Sequence, residues 1–447
     1  MYEDSFGLLK NAGFDFFDIY MEDSFTRTIE SKNRQIENVN FSTDKGVGIR
    51  GVKEFSTLFA STNNTSQESV YKKTKFICDV ISPKEGINIV EMPQMSIYSY
   101  KGYPTDLDSV KGIIDTVNTI AYKSPYIIQA SVTYSDKLKE IAILNEEGNL
   151  LREKRTYTLL YIELVARLDN ILQTIRKPLS AMGGFEFLEG INFETLTHEM
   201  VEKVEQLLKS PHLEPALMSV VLDSSAGGTM IHEAVGHGLE ADLVFESMSV
   251  YKDKLGTKVA NEKITVVDDA CVEKARGSFV FDDEGTHGMR KILIKNGVLN
   301  DYMFDKMYAK ANNRLSNGGA RRQSYAYVPI PRMSNTYILP GNDNKEAIIG
   351  SIGHGLLVKK MGGGQVNPVT GDFVFEVSEG YLIEKGKVKH MVRGATLIGN
   401  GPKILQEIDM VGDDFGTEVG TCGKSSQGVP VTDGEPTLRI PKIMIGG

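Results

Sequence analysis

Two histidines and a glutamate fall within six residues, His232, Glu233 and His237, inside the stretch GGTMIHEAVGHGLEADLV that runs from Gly227 to Val244. These are the residue types of a hydrolytic metal centre. Neutral imidazoles bind a divalent ion through nitrogen, and a neighbouring carboxylate can take a proton from water at the ion's open position. The spacing is H-E-x-x-x-H, one residue longer than the H-E-x-x-H of zinc-protease helices. A helix turns about 100° per residue, so side chains four apart lie within about 40° of each other and side chains five apart differ by about 140°. A regular α-helix therefore cannot aim both rings at one ion. The spacing predicts a π-bulge between Ile231 and Leu239, which absorbs the extra residue and restores a shared face. Gly236 and Gly238, on either side of His237, are expected to ease that unusual backbone.

Two histidines do not complete a catalytic zinc site, which takes three protein donors and leaves one position open. The candidates for the third are His198, His212, His287, His354 and His390, Cys422, and the nearby acids Glu240 and Asp242. His198 sits off the apolar stripe of its helix and reads as a solvated side chain, and His212 lies in a linker. Cys422 stands in EVGTCGKSSQG, which reads as an exposed glycine turn, an odd setting for a core thiol. Zinc favours sulfur and deprotonates it, so coordination would explain that position. The plain alternative is an amphipathic helix with two unrelated histidines, and spacing alone does not decide between them.

The elements that must position these residues follow from periodicity. DIYMEDSFTRTIE, QIENVNFST and GVGIRGVKEFSTLFA, between Asp18 and Ala60, alternate as strands of an antiparallel meander, with turns at Lys32-Asn33 and Asp44-Lys45-Gly46. A helix follows, with Thr65 and Glu68 as a capping box and Val70, Thr74, Ile77 and Ile81 on one stripe, Cys78 beside it. A second helix, capped by Thr105 with Asp108 at its third position, turns Leu107, Val110, Ile114, Val117 and Ala121 inward. Strands return in IIQASVTYSD, LKEIAILNEEG and RTYTLLYIELVARLD, and a helix spans about 193–208. Near Ser210-Pro211-His212 glycines begin to cluster and helices become rare, which sets the domain boundary. Residues 1–212 are expected to form an N-terminal α/β domain, with two sheet-and-helix blocks at about 1–100 and 101–212, and residues 213–447 a mostly β domain carrying a short metal-binding helix. The expected fold class is α+β. In the second half KITVVDD, SFVFDDEG, a hairpin at Asn296-Gly297 and another at Lys385-Gly386 read as strands, and only the segments around His232, Asp305 and Pro402 read as helical.

With 59 acidic against 50 basic residues in 447, the net charge is −9 and no basic run is long enough to track a phosphate backbone, so direct nucleic-acid binding is not expected. No segment has the continuous apolar length of a membrane span, and MYEDSFGLLKNAG has the features of neither a secretory signal nor a transit peptide. Cys78, Cys271 and Cys422 form an odd, scattered set unlike a disulfide framework. The cytoplasm is the expected location.

The chain resembles the TldD branch of the TldD/PmbA family, once described as modulators of DNA gyrase and understood as zinc metalloproteases. The resemblance rests on IHEAVGHGLEAD, VVDDA, FDDEGT, NGVLNDYMFDK, RRQSYAYVPIPRMSNTYIL, GGGQVNPVTGDFVFEVSEGYLIE, GATLIGNG and GTCGKSSQGVPVTDGEPTLRI, in the family's order across Gly227 to Ile440. It departs from relatives in polar Thr229 and in Met230, where they are more uniformly aliphatic. The resemblance implies a Zn2+ ion held by His232, His237 and Cys422, with Glu233 as catalytic acid/base. It further implies peptide-bond hydrolysis in unfolded or short peptides, inside the chamber of a homodimer or of a heterodimer with a metal-lacking PmbA/TldE-like chain. Two other readings stay in view: a non-catalytic regulatory or binding subunit of a gyrase or toxin–antitoxin system, and a purely structural zinc.

Overall fold

The computed structural model describes residues 2–81, 95–99 and 107–447, and its architecture is α+β. The strands between residues 16 and 182 build one sheet. Phe16–Lys32 (β1), Gln35–Lys53 (β2) and Ser56–Thr62 (β3) form the expected meander, and Met95–Ser99 (β4), Ile127–Asn145 (β5), Leu150–Leu168 (β6) and Ile171–Met182 (β7) follow along the chain. Across the sheet the order is β3-β2-β1-β5-β6, with β4 and β7 both on the far edge of β6. The strands of the two sheet-and-helix blocks thus share a single sheet, joined where β1 pairs with β5 from Asp18 opposite Asn145 to Lys32 opposite Ser131.

Asp44-Lys45-Gly46 is not a turn. β2 runs through it in register with Glu22, Asp23 and Ser24 of β1. Its polar composition reflects exposure, since residues 35–45 face solvent. Gly46 serves a close approach instead, because a Cβ there would lie 2.2 Å from the ring of Tyr325. The chain reverses at Glu54-Phe55, both at positive φ. The runs at 127–136 and 138–148 merge into β5. Strand β7 escapes periodicity because nearly all its residues are half-buried rather than alternating.

Helices Gln67–Ile81, Leu107–Ala121 and Phe193–Lys209 pack on this sheet near their expected spans. Ser66 rather than Thr65 caps the first, its Oγ accepting from the Ser69 amide at 3.3 Å. Val70, Thr74, Ile77 and Cys78 are buried there, as are Val110, Ile114, Val117 and Ala121 on the second, but Leu107 in its first turn is exposed. The cap expected at Thr105 lies outside the described residues. Asn192 caps the third helix through Thr195.

After residue 215 two larger sheets form, besides a two-stranded pairing of Ala320–Arg321 with Ile330–Pro331. His354–Val366, Ala216–Leu222, Leu438–Gly446, Thr396–Asn400 and Asp372–Glu384 pair in that order, and the last pairs back onto the first, closing a small barrel. The other sheet runs Val298–Leu299, Arg290–Lys295, Val266–Asp269, Asn335–Ile338, Gln427–Glu435 and Gly416–Lys424. The hairpins at Asn296-Gly297 and Lys385-Gly386 are present, both turn residues at positive φ. SFVFDDEG, read as a strand, is a buried loop. Phe279 and Phe281 point into the core, and Asp282 Oδ1 accepts from the amides of Glu284 and Thr286. A short helix at Lys345–Gly350, capped by Asn344, was not expected. One apolar cluster fills the space between barrel and second sheet and encloses Met230, Ile231, Ala234, Val235 and Leu239 of the histidine segment. Among the described residues no helix is long and apolar enough to cross a membrane.

Candidate metal centre

The histidine segment is helical throughout but changes pitch twice. Thr229–Ile231 is α, His232–Gly236 is a π turn in which the His237 amide donates to the His232 carbonyl, and His237–Leu239 is 3₁₀. The five-residue hydrogen bond absorbs the extra residue, so both rings emerge on one side, 5.1 Å apart between centroids and nearly perpendicular. The glycines act differently from the expectation. Gly236 has ordinary right-handed helical dihedrals, and its lack of a side chain makes room for Met333, whose Sδ would lie 2.0 Å from a Cβ. Gly238 likewise makes room for Tyr251. Left-handed backbone occurs earlier, at Gly227 and Gly228, which press against Glu418 and Gly434 of the neighbouring hairpin.

Cys422 reaches the rings from that hairpin. It is buried on strand Gly416–Lys424, not exposed in a turn; the turn is Ser425-Ser426. Arg332, fully buried, fastens the backbone here by donating to the carbonyls of Cys422, at 2.6 Å, and Gln427, at 3.2 Å. The Cys422 Sγ lies 3.4 Å from His237 Nε2. Ligand atoms of His232, His237 and Cys422 all fall within 4.8 Å of one another, the one such grouping of His, Cys, Asp or Glu among the described residues. Glu233 is half-buried at its edge, Oε2 3.9 Å from His237 Nε2. None of the other candidate histidines joins them. His198, His212, His287, His354 and His390 are exposed, and the ring of His287 packs at a tilt against Phe281.

The other ring nitrogens are held from behind. His232 Nδ1 meets Asp433 Oδ1 at 2.6 Å, and His237 Nδ1 meets Glu240 Oε2 at 2.9 Å. Each carboxylate fixes a ring and its tautomer and leaves Nε2 as the outward donor, the usual support of a metal-binding imidazole. Glu240 and Asp242, weighed above as ligands, instead receive Lys424 at 2.9 and 2.7 Å. Burial opposes charge on Glu240, but Lys424, His237 and Arg332 hold it ionised, with a pKa lowered to about 2. Asp433 and Lys424 carry no spacing signal in the sequence. Asp433 shares the inward parity of Val429 and Val431 on its strand.

Taken as protein groups alone, the cluster favours positive charge at its centre. Burial pulls both imidazoles down, yet Asp433 and the Cys422 sulfur lift His232 well above its ordinary range, and Glu240 and the sulfur lift His237 to about 10. Burial pushes the Cys422 thiol up, and the two imidazoles bring it down to about 6. A divalent cation would supply that charge while leaving the rings neutral and the sulfur deprotonated. Two nitrogens and a thiolate, backed by carboxylates and flanked on one side by the Glu233 carboxylate, fit a metal ion.

Family models match the chain along most of its length: PmbA/TldA metallopeptidase domain 1 over residues 17–75, the central domain over 104–208 and the C-terminal domain over 215–447. The metalloprotease TldD homolog of Haemophilus influenzae is 33% identical, with 99% of this chain and 95% of that protein covered. A metalloprotease of Methanocaldococcus jannaschii is 34% identical, with coverage of 95% and 96%. Among solved structures, TldE from Thermococcus kodakarensis superposes with a TM-score of 0.78 over the whole of both chains, at 19% identity.

Proposed function

Because the chain belongs to the PmbA/TldA metallopeptidase family, we propose that it hydrolyses peptide bonds at a zinc ion held by His232, His237 and Cys422, with Glu233 as general acid/base. One observation carries this reading: three donor atoms converge to within 4.8 Å, with the Glu233 carboxylate 3.9 Å from one of them. A thiolate with two imidazoles suits zinc and disfavours magnesium or calcium, which take oxygen ligands.

When bound, zinc supplies a Lewis acid for the scissile carbonyl and lowers the pKa of water. The chain's own residues do the rest. Asp433 and Glu240 pin the two rings so that each presents Nε2, and Arg332 and Lys424 set the backbone and charge behind them. Glu233, at the open edge, takes the proton of the attacking water and returns it to the leaving amine. The strand that carries Cys422 is at the edge of its sheet, a surface on which an extended peptide can pair through its backbone. This supports unfolded or short peptides as substrates. The assembly we propose is a dimer enclosing the site, with an identical chain or a TldE-like partner, in the cytoplasm, where Cys422 stays reduced.

The test is a pair of variants. Glu233→Gln should retain zinc by elemental analysis and lose about 10²- to 10⁴-fold in turnover of an unstructured peptide, whereas Cys422→Ala should lose the metal itself. Full activity of the Glu233 variant would refute the mechanism, and light scattering of the purified chain tests the dimer.

A further inference from the structure

Away from the metal, a cavity of about 220 Å³ lies between the N-terminal sheet and the Cys422 hairpin. It adjoins the opposite face of the strand from the metal ligands, since Thr421 lines it while the next side chain, Cys422, points to His237. Its walls carry Lys137, Lys139, Arg155, Arg276, Arg321 and Arg322 against a single carboxylate, Asp283.

Three of these cations are balanced. Lys139 pairs with Glu22, Arg155 with Glu153 and Asp283, and Arg322 with Asp18. The other three have no carboxylate at ion-pair distance among the described residues. Arg276 donates only to neutral oxygens, the Gly420 carbonyl and the hydroxyls of Ser180 and Thr421. Arg321 donates to the Met333 carbonyl and lies over the ring of Phe279. Lys137 is half-buried at the cavity wall. Arg155 Nε and Arg322 Nε and Nη1 are buried with no acceptor. Burial pushes Arg276 down and Arg321 down to about 10, and burial with the neighbouring Lys139 pushes Lys137 down. Positive charge held this way lacks its counter-charge.

We propose that this cavity binds a small oxyanion, a carboxylate or phosphate group, between Lys137, Arg276 and Arg321. Guanidinium forks match the paired oxygens of either group, and a lysine adds a point charge. The site is independent of the chemistry at the metal, because it is built from different residues on the other side of the hairpin.

The test is calorimetric titration of the full-length, metal-loaded chain in phosphate-free buffer with three probes: inorganic phosphate, N-acetylglycine and its neutral amide. Saturable binding of either anion, and none of the amide, is expected. Preference for N-acetylglycine would identify a peptide carboxylate as the source, and preference for phosphate a free oxyanion. Lys137→Gln and Arg276→Gln should each weaken binding about tenfold or more. Lys137 has no part in the cluster of His232, His237 and Cys422, so an anion binding at the metal would be insensitive to its loss. The proposal is overturned if neither anion binds saturably, or if the well-folded Lys137 variant binds both as the unaltered chain does.

Discussion

A histidine is only as good a ligand as the group behind it, and here each ring has its own carboxylate. Removing the charge behind one ring should leave the three donors in place and loosen the ion. Asp433→Asn is therefore expected to lower metal affinity by about 10- to 100-fold, read by competition with a chromogenic chelator, with little change in far-UV circular dichroism. Nearby, Glu435 is fully buried, and among the described residues its carboxylate has only the Gly228 amide beside it and no cation. Burial pushes its pKa from 4.5 up to about 8. The folded state thus keeps a proton that the unfolded chain releases above its lower value, so this group's contribution to stability is lost as pH rises across that window. Glu435→Gln should remove the loss: its advantage in urea unfolding should grow with pH by up to roughly 1.4 kcal/mol per unit and level off beyond the upper value. At this scale the sequence is legible where residue types of one chemistry cluster in a few positions, as at His232, Glu233 and His237. Cys422 was identifiable by chemistry but misplaced, because glycines around a buried strand look the same in sequence as glycines around an exposed turn.

The histidine segment shows what an element adds. Its π turn follows from geometry alone, since a step of five residues from one imidazole to the other carries one more than an α-helical turn can align. The reason for glycine at 236 does not, because it depends on Met333, which arrives from a distant stretch of chain. Gly236→Ala is expected to destabilise by about 1–3 kcal/mol through overpacking. Combined with Met333→Ala it should cost less than the sum of the two single changes, a coupling measurable by a double-mutant cycle in chemical denaturation. The same distinction runs through the fold. Helix Phe193–Lys209 and the turns at Asn296-Gly297 and Lys385-Gly386 were legible because their signals are local. The continuation of β2 through Asp44-Lys45-Gly46 and the loop in SFVFDDEG were not. In the first, Tyr325 occupies the space over Gly46. In the second, three consecutive acids are buried because Arg155 and Arg322 come to meet Asp283 and Arg50 to meet Glu284, while Asp282 is held by the amides of Glu284, Thr286 and Ala320.

At the scale of the whole molecule, those arginines join the two halves of the chain. Asp18 on β1 accepts from Arg50 of β2 at 2.6 Å and from Arg322 at 2.8 Å, and Arg50 also reaches Glu284 at 2.6 Å. All four side chains are buried, so the network is shielded from salt in a way that surface pairs are not. Asp18→Asn leaves two guanidinium groups short of charge and should cost roughly 3–5 kcal/mol in urea unfolding, by nearly the same amount in dilute and in molar sodium chloride. The proposed metal centre is assembled over a comparable span, with Cys422 and His237 185 residues apart. A peptidase is a hazard to the unfinished copies of itself being made around it. Here the sulfur and the imidazoles stay strangers until the hairpin has docked beneath the helical segment, so a chain caught halfway through synthesis carries the parts of a blade with no edge.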